Sequence, residues 1–194
     1  MTASTPPAAH LAQLNVATLR HPLDDPRIAP FVELLDPVNA AADDAPGFVW
    51  RLVEDGAADA TGLRPAGEDV IVNLTVWETQ EALWDFAYRS GHLEVMRRRR
   101  EWFERHVEAH LVLWWVPAGH LPTVDEALER LADLRAHGPS PRAFTFASAY
   151  SAAEAAQGLQ AIPPAQDDQV VPPARDEQPA TSTRATPAGD AAAV

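Results

Sequence analysis

The side chains best suited to chemistry gather in YRSGHLEVMRRRREWF, residues 88–103, where a histidine follows a Ser-Gly step and precedes four consecutive arginines. If Ser90 caps a helical segment, His92 sits in its first turn, where the positive end of the helix dipole keeps an imidazole neutral. A neutral imidazole can serve as a general base or as an axial ligand to haem iron. The competing reading makes His92 a capping or packing residue at a helix break. The arginines divide similarly. Glu94 lies three and four residues before Arg97 and Arg98, Arg97 four before Glu101, Arg100 four before Glu104, and Glu101 four before Arg105. Such pairs contribute only about 0.2–0.5 kcal/mol each at a solvated helix surface, and together they describe a charge-balanced exposed face. Only Arg100 falls on the apolar line of Leu93, Met96, Phe103 and Val107, so Arg100, or Arg97 beside it, is the candidate clamp for a carboxylated substrate.

Two further histidines, His106 and His110 in HVEAH, have the spacing a metal site on one helix would use. A change from helix to strand near Ala109 would separate their rings. His106 is therefore expected to act as a charge at a helix C-terminus, and no metal is expected. His120 in PAGHLP is a lesser pocket candidate.

These residues must be positioned by elements whose periods change in an orderly way. HLAQLNVATL (10–19) alternates as a half-buried strand. DDPRIAPFVELLDPVNAAADD starts on Asp-Pro and continues with Ile28, Phe31, Leu35, Val38 and Ala42 at helical spacing, with Pro30 in its first turn and a kink expected at Pro37. GFVWRLVE and DVIVNLTVWE read as neighbouring strands. Residues 79–108 read as helix broken at Ser90-Gly91, and HLVLWWVPA as a fourth strand. TVDEALERLADLRAHG adds a helix with a capping box, Thr123 to Glu126, and a Gly138 stop. AFTFAS is a candidate edge strand.

The order is β-α-β-β-α-β plus an extra C-terminal helix. This is an α+β, ferredoxin-like split βαβ arrangement with an antiparallel four-stranded sheet and helices on one face. On that pattern the other face needs a partner. The two-residue strand period sorts the sheet residues into two sets. One holds Gln13, Asn15, Arg51, Asn73, Thr75 and Trp77, with Trp114 beside them; the other holds Leu14, Val16, Trp50, Leu52, Val72, Leu74, Val76, Leu113 and Trp115. The second set is a plain core face. The first either lines a cavity, where Asn15, Arg51, Asn73, Trp77 and Trp114 would bind substrate, or lines a dimer interface.

Composition excludes several functions. All 15 basic residues are arginine and there is no cysteine, so thiol nucleophiles, thiolate metal sites, Schiff-base lysines and phosphate-loop lysines are ruled out. Residues 1–150 carry 13 arginines against 22 acids, a net charge of −9, which offers no broad attraction to nucleic acid. No stretch approaches the roughly 18 apolar residues a membrane helix needs, and the N-terminus lacks a signal pattern, so a cytoplasmic location is expected. GxGxxG, phosphate-loop, GxSxG and HExxH motifs are also missing. Residues 1–9 are expected to be a flexible N-terminus and 10–150 a single domain. Residues 151–194 are expected to form a disordered acidic Ala/Pro-rich tail, with a short helix allowed at 151–160.

The segments HLAQLNVATLRHPLDDPRIAPFVELLDPVNAAADDAPGFVWRL, VIVNLTVWETQEALWDFAYRSGHLEVMRRRREWF and HLVLWWVPAGHLPTVDEALERLADLRAHGPSPRAFTF together resemble the bacterial domain-of-unknown-function family three-two-nine-one over residues 10–147. That family is similar in fold to the dimeric α/β barrels, which include antibiotic-biosynthesis monooxygenases, haem-degrading monooxygenases, chlorite dismutases and polyketide cyclases. The resemblance implies a fold and a homodimer and transfers no catalytic residue. Three functions follow as expectations. The first is a cofactor-independent monooxygenase, isomerase or cyclase acting on an apolar aromatic or polyketide-like small molecule, with His92 as catalytic proton acceptor. The second is a haem-binding barrel with His92 as axial ligand. The third is a non-catalytic dimer that binds a small ligand or a partner.

Overall fold

The computed structural model describes residues 9–89 and 92–160. Strand β1 (Ala9–Thr18) begins the domain, and where a half-buried strand was expected, Leu11, Ala12, Gln13 and Leu14 are buried in succession, because both faces of this central strand are covered. The helical stretch that follows is two pieces, α1 (Ala29–Val32) and α2 (Leu35–Asp43). Asp25 prepares the first, its carboxylate accepting hydrogen bonds from the Arg27 backbone and guanidinium. Pro30 occupies the first turn of α1 as expected. The break falls at residues 33–34, so Pro37 lies in the first turn of α2, where its missing N–H costs no intrahelical bond.

A turn at Gly47 leads into β2 (Phe48–Arg51), followed by β3 (Val70–Trp77), α3 (Gln80–Arg89) and α4 (His92–Arg98). Gly47 has φ +78°, and a Cβ there would meet the Cβ of Ala82 at 2.7 Å, so the turn can run under α3 only without a side chain. The expected helix break is bracketed by the end of α3 and the start of α4; Ser90 and Gly91 lie outside the described residues. Arg99–Glu101 form a single 3-10 turn, and an irregular segment then leads to β4 (Leu111–Pro117). The helix therefore stops earlier than the expected Glu108, because Trp102 turns into an apolar cluster with Ile28, Phe31 and Ile71 while Phe103 bridges Leu19.

Helix α5 (Val124–His137) starts at Thr123, whose side chain accepts the Glu126 N–H, and ends at Gly138 with φ +76°. Both ends match the capping signals. Segment 143–148 adds to the sheet one isolated bridge, in which Phe144 and Leu113 exchange backbone hydrogen bonds on the outer edge of β4. The allowed short helix is α6 (Ala152–Gln160). Of the expected flexible N-terminus, residues 1–8 lie outside the described residues, as do residues 161–194 of the expected tail.

The sheet order is β2-β3-β1-β4, antiparallel throughout, which is the ferredoxin-like arrangement. Leu19, Ile71, Leu11 and Trp77 join clusters with residues of α1 and α3 on one face. The opposite face carries Ala12, Leu14, Val16, Val72, Leu74, Val76, Val112, Trp114 and Val116, all at most 4 % exposed. Ala127, Leu131 and Leu134, an i, i+4, i+7 stripe of α5, pack on this face, joined by Leu52 and Leu63 of the β2–β3 loop. The face expected to need a partner is thus covered by the chain's own helix and loop. The extra helix, which sequence could place in order but not in space, packs on this second face.

Candidate functional site

The site is built on the face beneath α1–α4. Register fixes it in rows. Phe48, Trp77, Leu11 and Trp115 form the first, Arg51, Thr75, Gln13 and Leu113 the second, and Asn73, Asn15 and Leu111 the third. Ala17 and Ile71 follow. The first row is aromatic and enclosed: Phe48 meets Trp77 edge-on at 5.2 Å, Phe86 of α3 stacks on Trp77 at 5.2 Å, and Trp115 donates its indole N–H to the Tyr150 carbonyl at 2.7 Å. Beyond the third row, Phe31, Trp102 and Phe103 form a second aromatic group. Between the two groups lies a band of amides and one hydroxyl.

Within the band, the Trp77 indole N–H donates to Thr75 Oγ1 at 2.9 Å, and Thr75 donates onward to Gln13 Oε1 at 2.8 Å. Gln13 and Thr75 are buried, so this relay is fully committed to the fold. The next row is not. Asn15 Oδ1 is buried with no hydrogen-bond partner, and Asn73, directly opposite it on β3, is exposed. An unmet buried acceptor costs about 1–3 kcal/mol, and a native fold keeps one where something else satisfies it. Together the two amides offer an acceptor and donors to an oxygen-bearing molecule.

The other candidates separate. Arg51 is on the same face, yet its guanidinium is held by Asp43 at 2.9 and 3.2 Å and by the Ala58 carbonyl at 3.0 Å, so it braces β2 against α2. Trp114 is on the opposite face, buried under α5 with its indole donating to Glu126 at 3.1 Å. Placing it beside Asn73 put β4 out of phase by one residue; Gln13 pairs with Leu113, so Leu113 and Trp115 face the band. Arg100 is exposed in the 3-10 turn, and its carbonyl accepts from Arg20 at 3.0 Å. Its apolar line also fails, since Val107 is fully exposed. Arg97, Arg98 and Arg99 are exposed too, and Arg98 pairs with Glu101 while lying 4.8 Å over the Trp102 ring. His92 is the first residue of α4, and its side chain lies outside the described residues.

His106 and His110 depart most from expectation. Their rings stack at 5.0 Å with 16° between planes, because residues 104–110 form an irregular crossing instead of a helix end. His106 Nε2 is buried without a partner. Burial holds both imidazoles below their ordinary pKa; the charges of His110, Arg135 and Arg99 add to this at His106, and those of Arg99 and Arg135 at His110. The expected role of His106 at a helix C-terminus is therefore not met, since the last helical turn before it ends at Glu101. His120 instead pairs with Glu126 at 2.8 Å. Among the described residues no group of three His, Asp or Glu side chains gathers to hold a metal, and no helix is long and apolar enough to cross a membrane.

The relay of Gln13 and Thr75 was not singled out from sequence, although both alternate in phase with Asn15 and Asn73. The available signal was the run of polar side chains on one face of two adjacent apolar strands.

No curated protein matches the chain. Among solved structures, the chain is similar to SnoaB, a cofactor-independent oxygenase from Streptomyces nogalater, at 17% identity over 59% of this chain and 97% of that one, with a TM-score of 0.40. It is also similar to Rv0793 from Mycobacterium tuberculosis, at 15% identity over 59% and 98%, with a TM-score of 0.40. A third is the monooxygenase ActVA-Orf6 of Streptomyces coelicolor in complex with nanaomycin D, at 15% identity over 61% and 96%, with a TM-score of 0.36. A family model matches residues 10–160, from the second residue of β1 to the end of α6, and the chain belongs to that family, the domain of unknown function DUF3291.

Proposed function

We propose that this protein binds an apolar aromatic or polyketide-like small molecule over the amide band and acts on it as a cofactor-independent monooxygenase, isomerase or cyclase, working as a homodimer. The observation that supports this reading is the buried, unpartnered Asn15 Oδ1 beside the exposed Asn73, on a sheet face whose end row carries Phe48, Trp77 and Trp115. In this reading a phenol or enol O–H of the substrate donates to Asn15 Oδ1, and the Asn73 amide donates to a carbonyl oxygen that gains negative charge as a proton leaves the adjacent carbon. His92, at the start of α4, is the proposed acceptor of that proton. The aromatic groups on either side bury the ring system and exclude water.

The haem-binding alternative asks for an imidazole facing a broad apolar slot. The four side chains of the band are two asparagines, a glutamine and a threonine, which fit hydrogen bonds to substrate oxygens better than axial ligation. The test uses a tricyclic anthrone, which with one dioxygen gives the quinone and one water. Dioxygen uptake and quinone absorbance are followed for the wild type and for Asn15→Leu, Asn73→Leu and His92→Ala, alongside calorimetric binding of a hydroxyanthraquinone. Binding that is weakened at least about tenfold in the asparagine variants supports the site, and uptake lost in His92→Ala supports its role. Binding unchanged in both asparagine variants would overturn the site. A sharp Soret band with added haemin, lost in His92→Ala, would replace this reading with haem chemistry.

A further inference from the structure

Both faces of the sheet are occupied, one by α1–α4 and the other by α5 and the β2–β3 loop. A homodimer must therefore use another surface. Among the described residues the exposed aromatic side chains are Trp84 and Tyr88, 40 % and 37 % exposed, one turn apart on α3. Their rings lie 4.3 Å apart, and Phe146, half-buried, meets them edge-on at 5.1 and 6.0 Å. Aromatic side chains are enriched at protein interfaces because they bury a large area at little entropic cost. Beside them Glu81, Asp85 and Arg89 follow at i, i+4 and i+8, lining with Gln80 and Trp84 an open groove of about 220 Å³.

This charge order is self-complementary. A two-fold axis crossing α3 at the level of Asp85 carries Arg89, about 6 Å further along the helix, to the level of Glu81 on an antiparallel copy. The central acid brings no bare repulsion to the axis, since Arg89 already bridges Asp85 at 3.0 Å. We propose that two copies of this chain pair through α3 about such an axis, with Trp84 and Tyr88 of each buried against the other and Arg89 of each facing Glu81 of the partner subunit. This rests on the homodimer of the preceding section and assigns its surface.

The test is sedimentation equilibrium of the full chain from 1 to 100 µM, with circular dichroism to verify folding. Trp84→Ala is expected to raise the dimer dissociation constant by on the order of 30-fold or more, as removal of a central interface aromatic does. Arg89→Glu is expected to weaken the dimer about tenfold, and Glu81→Arg combined with Arg89→Glu to restore it, because the reciprocal pairs re-form with their signs exchanged. Dimerisation of Trp84→Ala and Arg89→Glu at wild-type strength would overturn the surface and leave the homodimer standing. A wild-type chain that stays monomeric at 100 µM would overturn both, leaving the ligand site to its own binding test.

Discussion

Replacing Asn15 by leucine gives the sharpest prediction, because it should improve the fold while abolishing the site. Asn15 Oδ1 is buried and unpartnered in the third row of the sheet, between a committed polar relay and the apolar pair of Ala17 and Ile71. Leaving a buried acceptor unmet costs about 1–3 kcal/mol, and leucine, with the same branched skeleton but bulkier methyl ends, removes that cost while adding apolar burial. Against this stands the strain of fitting a branched side chain beside Asn73 and Leu111, about 1 kcal/mol. The net expectation is a gain of about 1 kcal/mol. With an m-value of about 2 kcal/mol/M, that moves the urea midpoint up by about 0.5 M with unchanged slope. Calorimetric binding of a hydroxyanthraquinone should weaken at least about tenfold in the same variant, the exchange of stability for function expected where a polar group is kept for a ligand. A loss of stability above about 1 kcal/mol would refute the reasoning, since Oδ1 would then be satisfied by the fold itself. A gain in stability with binding untouched would move the ligand elsewhere.

Other expectations follow from the same geometry. Thr75→Val, one row away, should have the opposite sign: it strands the Trp77 indole N–H and Gln13 Oε1, lowering stability by about 2–4 kcal/mol in urea melts. Trp114→Ala should cost about 3–5 kcal/mol, as a cavity under α5, while ligand affinity measured well below the melting temperature stays at the wild-type value. Burial lowers the pKa of His106 and His110, so the unfolded chain binds protons more readily than the native one, and stability rises with pH through that range. That stability is present in full above the ordinary histidine pKa of 6.5 and is lost as pH falls below it toward the lowered native values. Thermal melts from pH 5 to 8 should show this slope, flattened in the double variant His106→Phe, His110→Phe.

Much of the fold was legible because local signals agreed with burial. Polar and apolar residue types alternate from Gln13 to Val16 of β1, Asn73 and Thr75 of β3 share that phase, and α5 carries its cap at Thr123, its stop at Gly138 and an apolar stripe between them. The polar set Gln13, Asn15, Asn73 and Thr75 was readable for the same reason: the two-residue period puts these side chains on one face wherever the strands pair in register. Strand β4 was not. LVLWWV is apolar at every position, so nothing in it marks which side faces which layer, and Trp114 was assigned to the wrong one. The end of the helix after Arg98 was hidden as well. Arginine and glutamate favour helix locally, and the chain leaves it only because Trp102 finds a buried place against Phe31 and Ile71.

Residue type and spacing were therefore enough to decide which elements form, in what order, and which polar side chains share a strand face, since those depend on periods of two and 3.6 residues. Tertiary packing alone decided that α5 closes the second face, that Arg51 is spent on Asp43, that two histidines stack across an irregular crossing, and that one asparagine oxygen is buried with no partner. Each of these depends on where a distant segment comes to rest, and no local periodicity carries that distance.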